Sequence, residues 1–436
     1  MCTLVDTSTN PALQQQRDWF QPARLTYSLV VLGDVAHLYM HRSLFLPTGL
    51  WPWFPVGAVC VIWMGALTSL AASFHVRIAA LLNWICCALM LGIVASNNGF
   101  QQAACDSVII GGAFLLIVLP TLRPTAGKWV LALYLGSIYL DSAIHKLSWP
   151  MWSRGYGLAA PMMLPNLVWV KTSWMASFPG WFWQALGFGV VAFELTFFLL
   201  CLFPWTRGIA LFTGITMHLA IAVVYPIPAF GLVMVSLYVG LLPESLLSRF
   251  SIRNAIKYNI WSPSARLLTL GAVLWATAVA SVYLPQSNPA RWLHKAGWLA
   301  AGIASHEVFA EGAFSHYDYQ IRLVRTDGTI LPYSHDNLFS LDIRDRVWEL
   351  WWKRTQAPNV TLTDAEAHLR AWARSARVEA RPQRVFTDRI DLNLFQQNNS
   401  VPWRPIGNVE NGVVHWYSPP ANTSQTMGGY MDKILW

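Results

Sequence analysis

Apolar runs about as long as a lipid bilayer is thick recur through the first two thirds of this chain. Such runs leave few choices. A backbone in hydrocarbon must satisfy every N–H and C=O inside its own segment, and about 20 apolar residues of α-helix do so while crossing the layer. Runs of this kind fall near residues 24–41, 54–74, 78–96, 106–121, 127–146, 182–203, 207–225, 228–247 and 266–285. The interval 147–181 is too rich in proline and tryptophan to form one clean span. The expected fold class is an all-α polytopic membrane bundle of about nine transmembrane helices, followed by a small α+β C-terminal soluble domain.

Composition agrees with a chain whose solvent is largely lipid. Charged residues make up 12% of it, against roughly 25% in an ordinary soluble domain. They are sparse up to about residue 290 and dense beyond it. Three regions follow: a cytoplasmic N-terminal arm over 1–23, a transmembrane domain over 24–285 and a periplasmic α+β domain over 286–436. The net charge of +8 does not point to nucleic acid, because the basic residues of the membrane part stand singly between apolar runs. They read as topology signals. Arg17, Arg24, Arg77, Arg123, Lys128, Arg207, Arg249, Arg253 and Lys257 all fall in the N-terminal arm or in loops of one parity, which places that side in the cytoplasm. An odd number of spans then puts the tail outside, which in a bacterium is the periplasmic face of the inner membrane.

Beyond the junction Leu284-Pro285-Gln286-Ser287-Asn288-Pro289, the helical apolar period stops. Alternation over His316 to Val324, the turn signal Asp327-Gly328 and then Ile330-Leu331 predict a hairpin. Helices are expected near 339–355 and 362–377, the second opened by a Thr363/Glu366 capping box. Further alternation appears over Arg384 to Leu394 and Gly412 to Tyr417. The six cysteines all precede this tail, so it builds no disulfides.

Ionisable groups inside membrane segments are costly, which makes each one a candidate for function. Here they are Asp34, His37, His41, Asp141, His145, Lys146, Glu194 and His218. Asp141 and His145 are i,i+4 neighbours on a helix, so the carboxylate can orient the imidazole. Lys146 falls at the outer end of its span. A lysine there either snorkels to the interface or, if desolvated, supplies a neutral amine that acts as a base. His37 and His41 have a spacing that lets two imidazoles share a metal, but paired adjacent histidines are lacking and no metal site is predicted. Glu194 and His218 lie on consecutive antiparallel spans, where they either bond helix to helix or line a polar pocket with Lys146.

The landmarks together resemble the HTTM family, the membrane domain shared by vitamin K-dependent gamma-carboxylases and many bacterial proteins. The resemblance runs from about Arg17 to Pro243. It is carried by Arg24 and Asp34, the loop Leu44 to Pro52, Ser96-Asn97-Asn98, Asp106, Leu119-Pro120, Tyr139 to Leu147 with Trp152 and Gly155, Glu194, Pro204 to Arg207, His218, Phe230 and Met234. It implies that Lys146 is the base that starts oxygenation of a reduced, vitamin K-like quinone, leading to proton removal from a peptide glutamate and addition of carbon dioxide. Four departures are visible, two of them an extra residue between Leu147 and Trp152 and a tail far shorter than the carboxylases' lumenal region. Where the carboxylases carry a loop histidine this chain reads Asn97-Asn98-Gly99-Phe100-Gln101, and His145 stands where they carry lysine.

The function expected from residues and resemblance together is a quinone-linked membrane enzyme, a lyase carrying out carboxylation or a related oxidation at the periplasmic face. Its substrate would be a peptide or a lipid-soluble molecule. Lys146, His145 and Asp141 form the expected catalytic group, with Glu194, His218, Asp34, His37 and His41 in the pocket. The alternative is a non-catalytic maturation or assembly factor for an exported peptide or toxin, with the lipid bilayer and that exported partner as its expected contacts.

Overall fold

The structure, a computed structural model, describes residues 19–40, 55–95, 103–155, 157–162, 177–225, 227–243, 246, 288–303, 317–324, 330–332, 389–396, 404–410 and 413–416. These residues are mostly helical. The helices are α1 (Gln21–Met40), α2 (Val56–Ala71), α3 (Val76–Cys87), α4 (Ala103–Val118), α5 (Pro124–Ser148), α6 (Gly180–Leu202), α7 (Pro204–Val224), α8 (Pro228–Leu241) and α9 (Asn288–Ala301). The helix α3 runs on as a π-helical stretch, Ala88–Ala95. Two single turns, Pro150–Ser153 and Ala159–Met162, follow α5. The expected span at 266–285, His41 and the expected tail helices lie outside the described residues.

Proline and the need to satisfy carbonyls set several helix ends. Pro124, Pro204 and Pro228 open α5, α7 and α8, where their missing N–H costs nothing. Pro204 also forces Phe203 into an extended conformation (φ −102°, ψ 134°), so that α6 turns into α7 over a single residue. The last carbonyls of α6 are taken up from α7: Thr206 Oγ1 donates to Leu200 O at 2.7 Å and Arg207 Nε to Cys201 O at 3.1 Å. Arg24 does the same for α2. Its buried guanidinium donates to Leu70 O at 3.4 Å and to Ser73 Oγ at 3.0 Å. The residue that reads as a topology signal thus also ties α1 to the α2–α3 turn.

One core joins the helices. α1 lies between α2 and α8, α3 packs on α2 and α4, and α5, α6, α7 and α8 form a consecutive group. Among the described residues two helices, α6 with 23 residues and α7 with 21, are long and apolar enough to cross a membrane. Their outer faces carry large exposed apolar side chains, including Trp181, Trp205, Ile209, Phe212 and Val223. The helix α9 packs against α4 and the π-helical stretch, and Trp84 Nε1 donates to Ala300 O at 2.7 Å. Gly302 ends it at φ +65°, where a Cβ would collide with Ser107 O.

Beyond α9 lie the strands β1 (Tyr317–Val324), β2 (Ile330–Pro332), β3 (Arg389–Gln396), β4 (Arg404–Glu410) and β5 (Val413–Trp416). They form one antiparallel sheet of order β2-β1-β3-β4-β5. Leu323 faces Leu331 across the first pair, and a shift of register lies at Leu392/Asn393.

The segment after α5 is held down by a glycine contact. Gly155 adopts φ +83° and Gly187 of α6 lies so close that a Cβ there would strike Gly155 O. A backbone obstacle cannot swing aside as a side chain can. Gly187→Ala is therefore expected to lower stability by about 1–3 kcal/mol, whereas Gly189→Ala, with open space around it, is expected to leave thermal unfolding in detergent unchanged.

Candidate functional site

A cavity of about 370 Å³ opens among α5, α6, α7, α8 and the two short turns after α5. Its walls come from the C-terminal part of α5, the N-terminal part of α6, the C-terminal part of α7 and the start of α8. Antiparallel succession brings all four to the same end of the bundle. Most of the lining is apolar or aromatic, with Phe178, Phe182, Trp183, Leu186, Ile221 and Phe230 prominent. The polar groups are few: Tyr139, Ser142, Lys146, Glu194, His218 and Tyr225.

On α5, Tyr139, Ser142 and Lys146 are spaced i, i+3, i+7, which puts them on one face of the helix. Lys146 does not reach out to an aqueous edge. It is 5% exposed, forms an ion pair with the equally buried Glu194 of α6, and donates to Ser142 Oγ at 3.0 Å. The Trp152 ring lies 4.9 Å from its ammonium, close enough for a cation–π contact. The pair is neutral as a unit whichever partner carries the proton, so it can sit in an apolar wall where a lone charge would not.

A second polar group stands beside the first. Tyr139 Oη lies 2.6 Å from His218 Nε2 and 2.7 Å from Tyr238 Oη. His218 is 2% exposed and Tyr238 fully buried. The rings of Tyr139, Phe193, Phe197, His218 and Tyr238 pack on one another with centroids 4.8 to 6.1 Å apart, which holds this chain of hydroxyls and imidazole in place.

Of the residues singled out from the sequence, Lys146, Glu194 and His218 meet at this cavity. Asp141 and His145 pair with each other, Nε2 to Oδ1, at 3.6 Å, but do not line it. They lie on a neighbouring strip of α5, with Asp141 buried and His145 half-buried. Asp34 is buried and His37 half-buried on α1, away from the cavity wall. Among the described residues no three His, Cys, Asp or Glu side chains gather as a metal site. Sequence reasoning passed over Ser142, Tyr139 and Tyr238. The first two carry a signal, the seven-residue face they share with Lys146. Tyr238 carries none, because it reaches the chain from α8 only through folding.

Compared with protein families, with curated proteins and with solved structures, the chain has no match.

Removing one member of a buried pair strands the other. Lys146→Met is expected to cost about 3–5 kcal/mol of stability by leaving Glu194 uncompensated. Lys146→Met combined with Glu194→Gln is expected to recover most of that loss. Thermal unfolding of the purified protein in detergent measures both.

Proposed function

We propose that this chain is a multi-pass bacterial inner-membrane enzyme of the kind the HTTM resemblance implies. In this reading about nine helices span the layer, the N-terminus is cytoplasmic, and the sheet-bearing tail is a small periplasmic α+β domain. The cavity binds a reduced, quinone-like molecule, and Lys146 with Glu194 moves a proton at one of its oxygens. The carrying observation is a buried Lys146–Glu194 pair set in an otherwise apolar, aromatic-walled cavity.

The residues present fit such a group. The cavity volume of about 370 Å³ lies within the roughly 300–1,000 Å³ typical of small-ligand sites. Flat aromatic walls from Phe178, Phe182 and Trp183 suit a ring. When bound, a reduced quinone would supply, through its own oxidation by dioxygen, the strong base and the driving force for carboxylation or a related oxidation. The protein supplies the proton chemistry. The pair always has one unprotonated member: the carboxylate when Lys146 is an ammonium, the amine when Glu194 is a carboxylic acid. It therefore always includes a base able to take a hydroxyl proton. With that proton taken up, Lys146 would be an ammonium able to stabilise negative charge on the ligand oxygen, and Trp152 and the apolar walls would strengthen that attraction by excluding water. Ser142 accepts from Lys146 and keeps Nζ in place. In the proposed topology the cavity lies in the periplasmic half of the bundle, where an exported peptide or a lipid-soluble substrate has access.

Two measurements test this. The protein is purified in detergent, extracted with organic solvent and analysed by mass spectrometry, alongside the Lys146→Met/Glu194→Gln variant. The wild type is expected to carry a quinone and the variant about tenfold less. A folded wild type that carries none, and takes up none when menadione is supplied, would move the reading to the non-catalytic assembly factor. For topology, a reporter active only in the periplasm is expected to work when fused after Trp436 and to be silent when fused after Arg253.

A further inference from the structure

The proton arrangement along Tyr238, Tyr139 and His218 identifies a second polar anchor in the cavity. Tyr139 Oη sits between His218 Nε2 and Tyr238 Oη, and a hydroxyl has one hydrogen to give. Among the described residues, Tyr238 Oη bonds to nothing else, and His218 Nδ1 has no hydrogen-bond partner.

His218 is taken as a neutral imidazole, the form an apolar surrounding favours. Three arrangements are then open, and in one of them Tyr139 accepts from both neighbours, which leaves its own buried hydrogen without an acceptor and a bare lone pair on Nδ1. If Tyr139 donates to Tyr238, then His218 donates from Nε2 to Tyr139. That leaves a buried Tyr238 hydrogen without an acceptor and a bare lone pair on Nδ1. If Tyr238 instead donates to Tyr139 and Tyr139 donates to His218 Nε2, both hydroxyl hydrogens are used. The imidazole proton is then on Nδ1, the single group left unsatisfied. A buried unsatisfied group costs about 1–3 kcal/mol, and each of the other two arrangements leaves two, so this last one is preferred. Its one remaining donor belongs to a residue that lines the cavity.

We propose that His218 Nδ1–H is the hydrogen-bond donor for the cavity's ligand, and that the ligand is a neutral, apolar molecule carrying an accepting ring oxygen, a hydroxyl when reduced and a carbonyl when oxidised, rather than an acidic peptide side chain. The proposal rests on the reading of the cavity as a site for a quinone-like ring, and it adds which group holds a ring oxygen, tested below on the carbonyl of the oxidised form. Charge argues the same way. The Lys146 ammonium already has Glu194 as its counter-ion, so among the described residues a ligand carboxylate would enter an apolar space with no free cation lining it. A carbonyl needs only a donor. Tyr139 acts here as a positioning residue, because its hydroxyl on Nε2 keeps the proton on Nδ1.

The test uses the full-length protein in detergent and two probes of nearly the same shape, menadione and 2-methylnaphthalene, which lacks the carbonyls. Binding is read from quenching of tryptophan fluorescence, Trp152 and Trp183 being in the wall. The menadione carbonyl stretch is read by difference infrared spectroscopy. Wild type is expected to prefer menadione by roughly tenfold, the worth of one buried hydrogen bond, and to shift its carbonyl band to lower frequency. His218→Asn places an amide N–H near the Nδ1 position and is expected to keep both the preference and the shift. His218→Gln places its amide near Nε2, retains a partner for Tyr139, and is expected to lose both.

Menadione bound equally by wild type and His218→Gln, with the same carbonyl band, overturns the assignment of the donor while leaving a quinone-binding cavity in place. If neither probe binds folded wild type, the cavity reading and the donor assignment fall together. If 2-methylnaphthalene binds as well as menadione, the carbonyl class is wrong although the cavity still takes apolar rings.

Discussion

A lysine and a glutamate buried against each other between α5 and α6 set the terms for everything around them. Neither is stable alone in an apolar wall, so α5 and α6 must meet in the register that pairs Lys146 with Glu194. That register also brings the turn after α5 back over the pair, where Trp152 lies against the ammonium and Gly155 against Gly187. The cavity is the space left when these contacts are made. Its chemistry is that of a charge-neutral proton pair facing aromatic carbon.

The same economy of polar groups appears at the helix ends. In the described helices, carbonyls at the ends of α2 and α6 are met by side chains from neighbouring helices: Arg24 for α2, Thr206 and Arg207 for α6. A single-residue turn between α6 and α7 is feasible because Pro204 imposes an extended Phe203 and gives up no hydrogen bond in doing so. These local devices hold α6 and α7 as a tight antiparallel pair, which puts Glu194 and His218 at the same end of the bundle.

Much of the helical body was legible in the chain. The apolar runs from the first through the eighth correspond to α1 through α8, with shifts of a few residues at the ends, because a run of apolar residues bounded by Pro, Gly or Arg has one low-energy backbone solution. Lys146, Glu194 and His218 stood out because a charge or an imidazole in such a run is expensive. The face Tyr139-Ser142-Lys146 was equally readable from its i, i+3, i+7 spacing, on a strip of α5 next to the Asp141–His145 pair. What could not be read was Tyr238, which resembles any other aromatic on a buried helix. Nor was the docking of α9, whose sequence lies past a proline junction and has the charge of a soluble segment, but whose tryptophan Trp298 is buried against the body.

The amino-acid sequence by itself determined where the helices are and which few groups are costly to bury, because both follow from the period and polarity of residues near one another in the chain. Only the tertiary structure decided which of those groups share a cavity. The pairing of Lys146 with Glu194, the meeting of Tyr238, Tyr139 and His218 and the exclusion of Asp34, His37 and the Asp141–His145 pair from the wall depend on how helices rotate against one another. That rotation is set by side-chain packing between segments distant in sequence, and no local pattern encodes it.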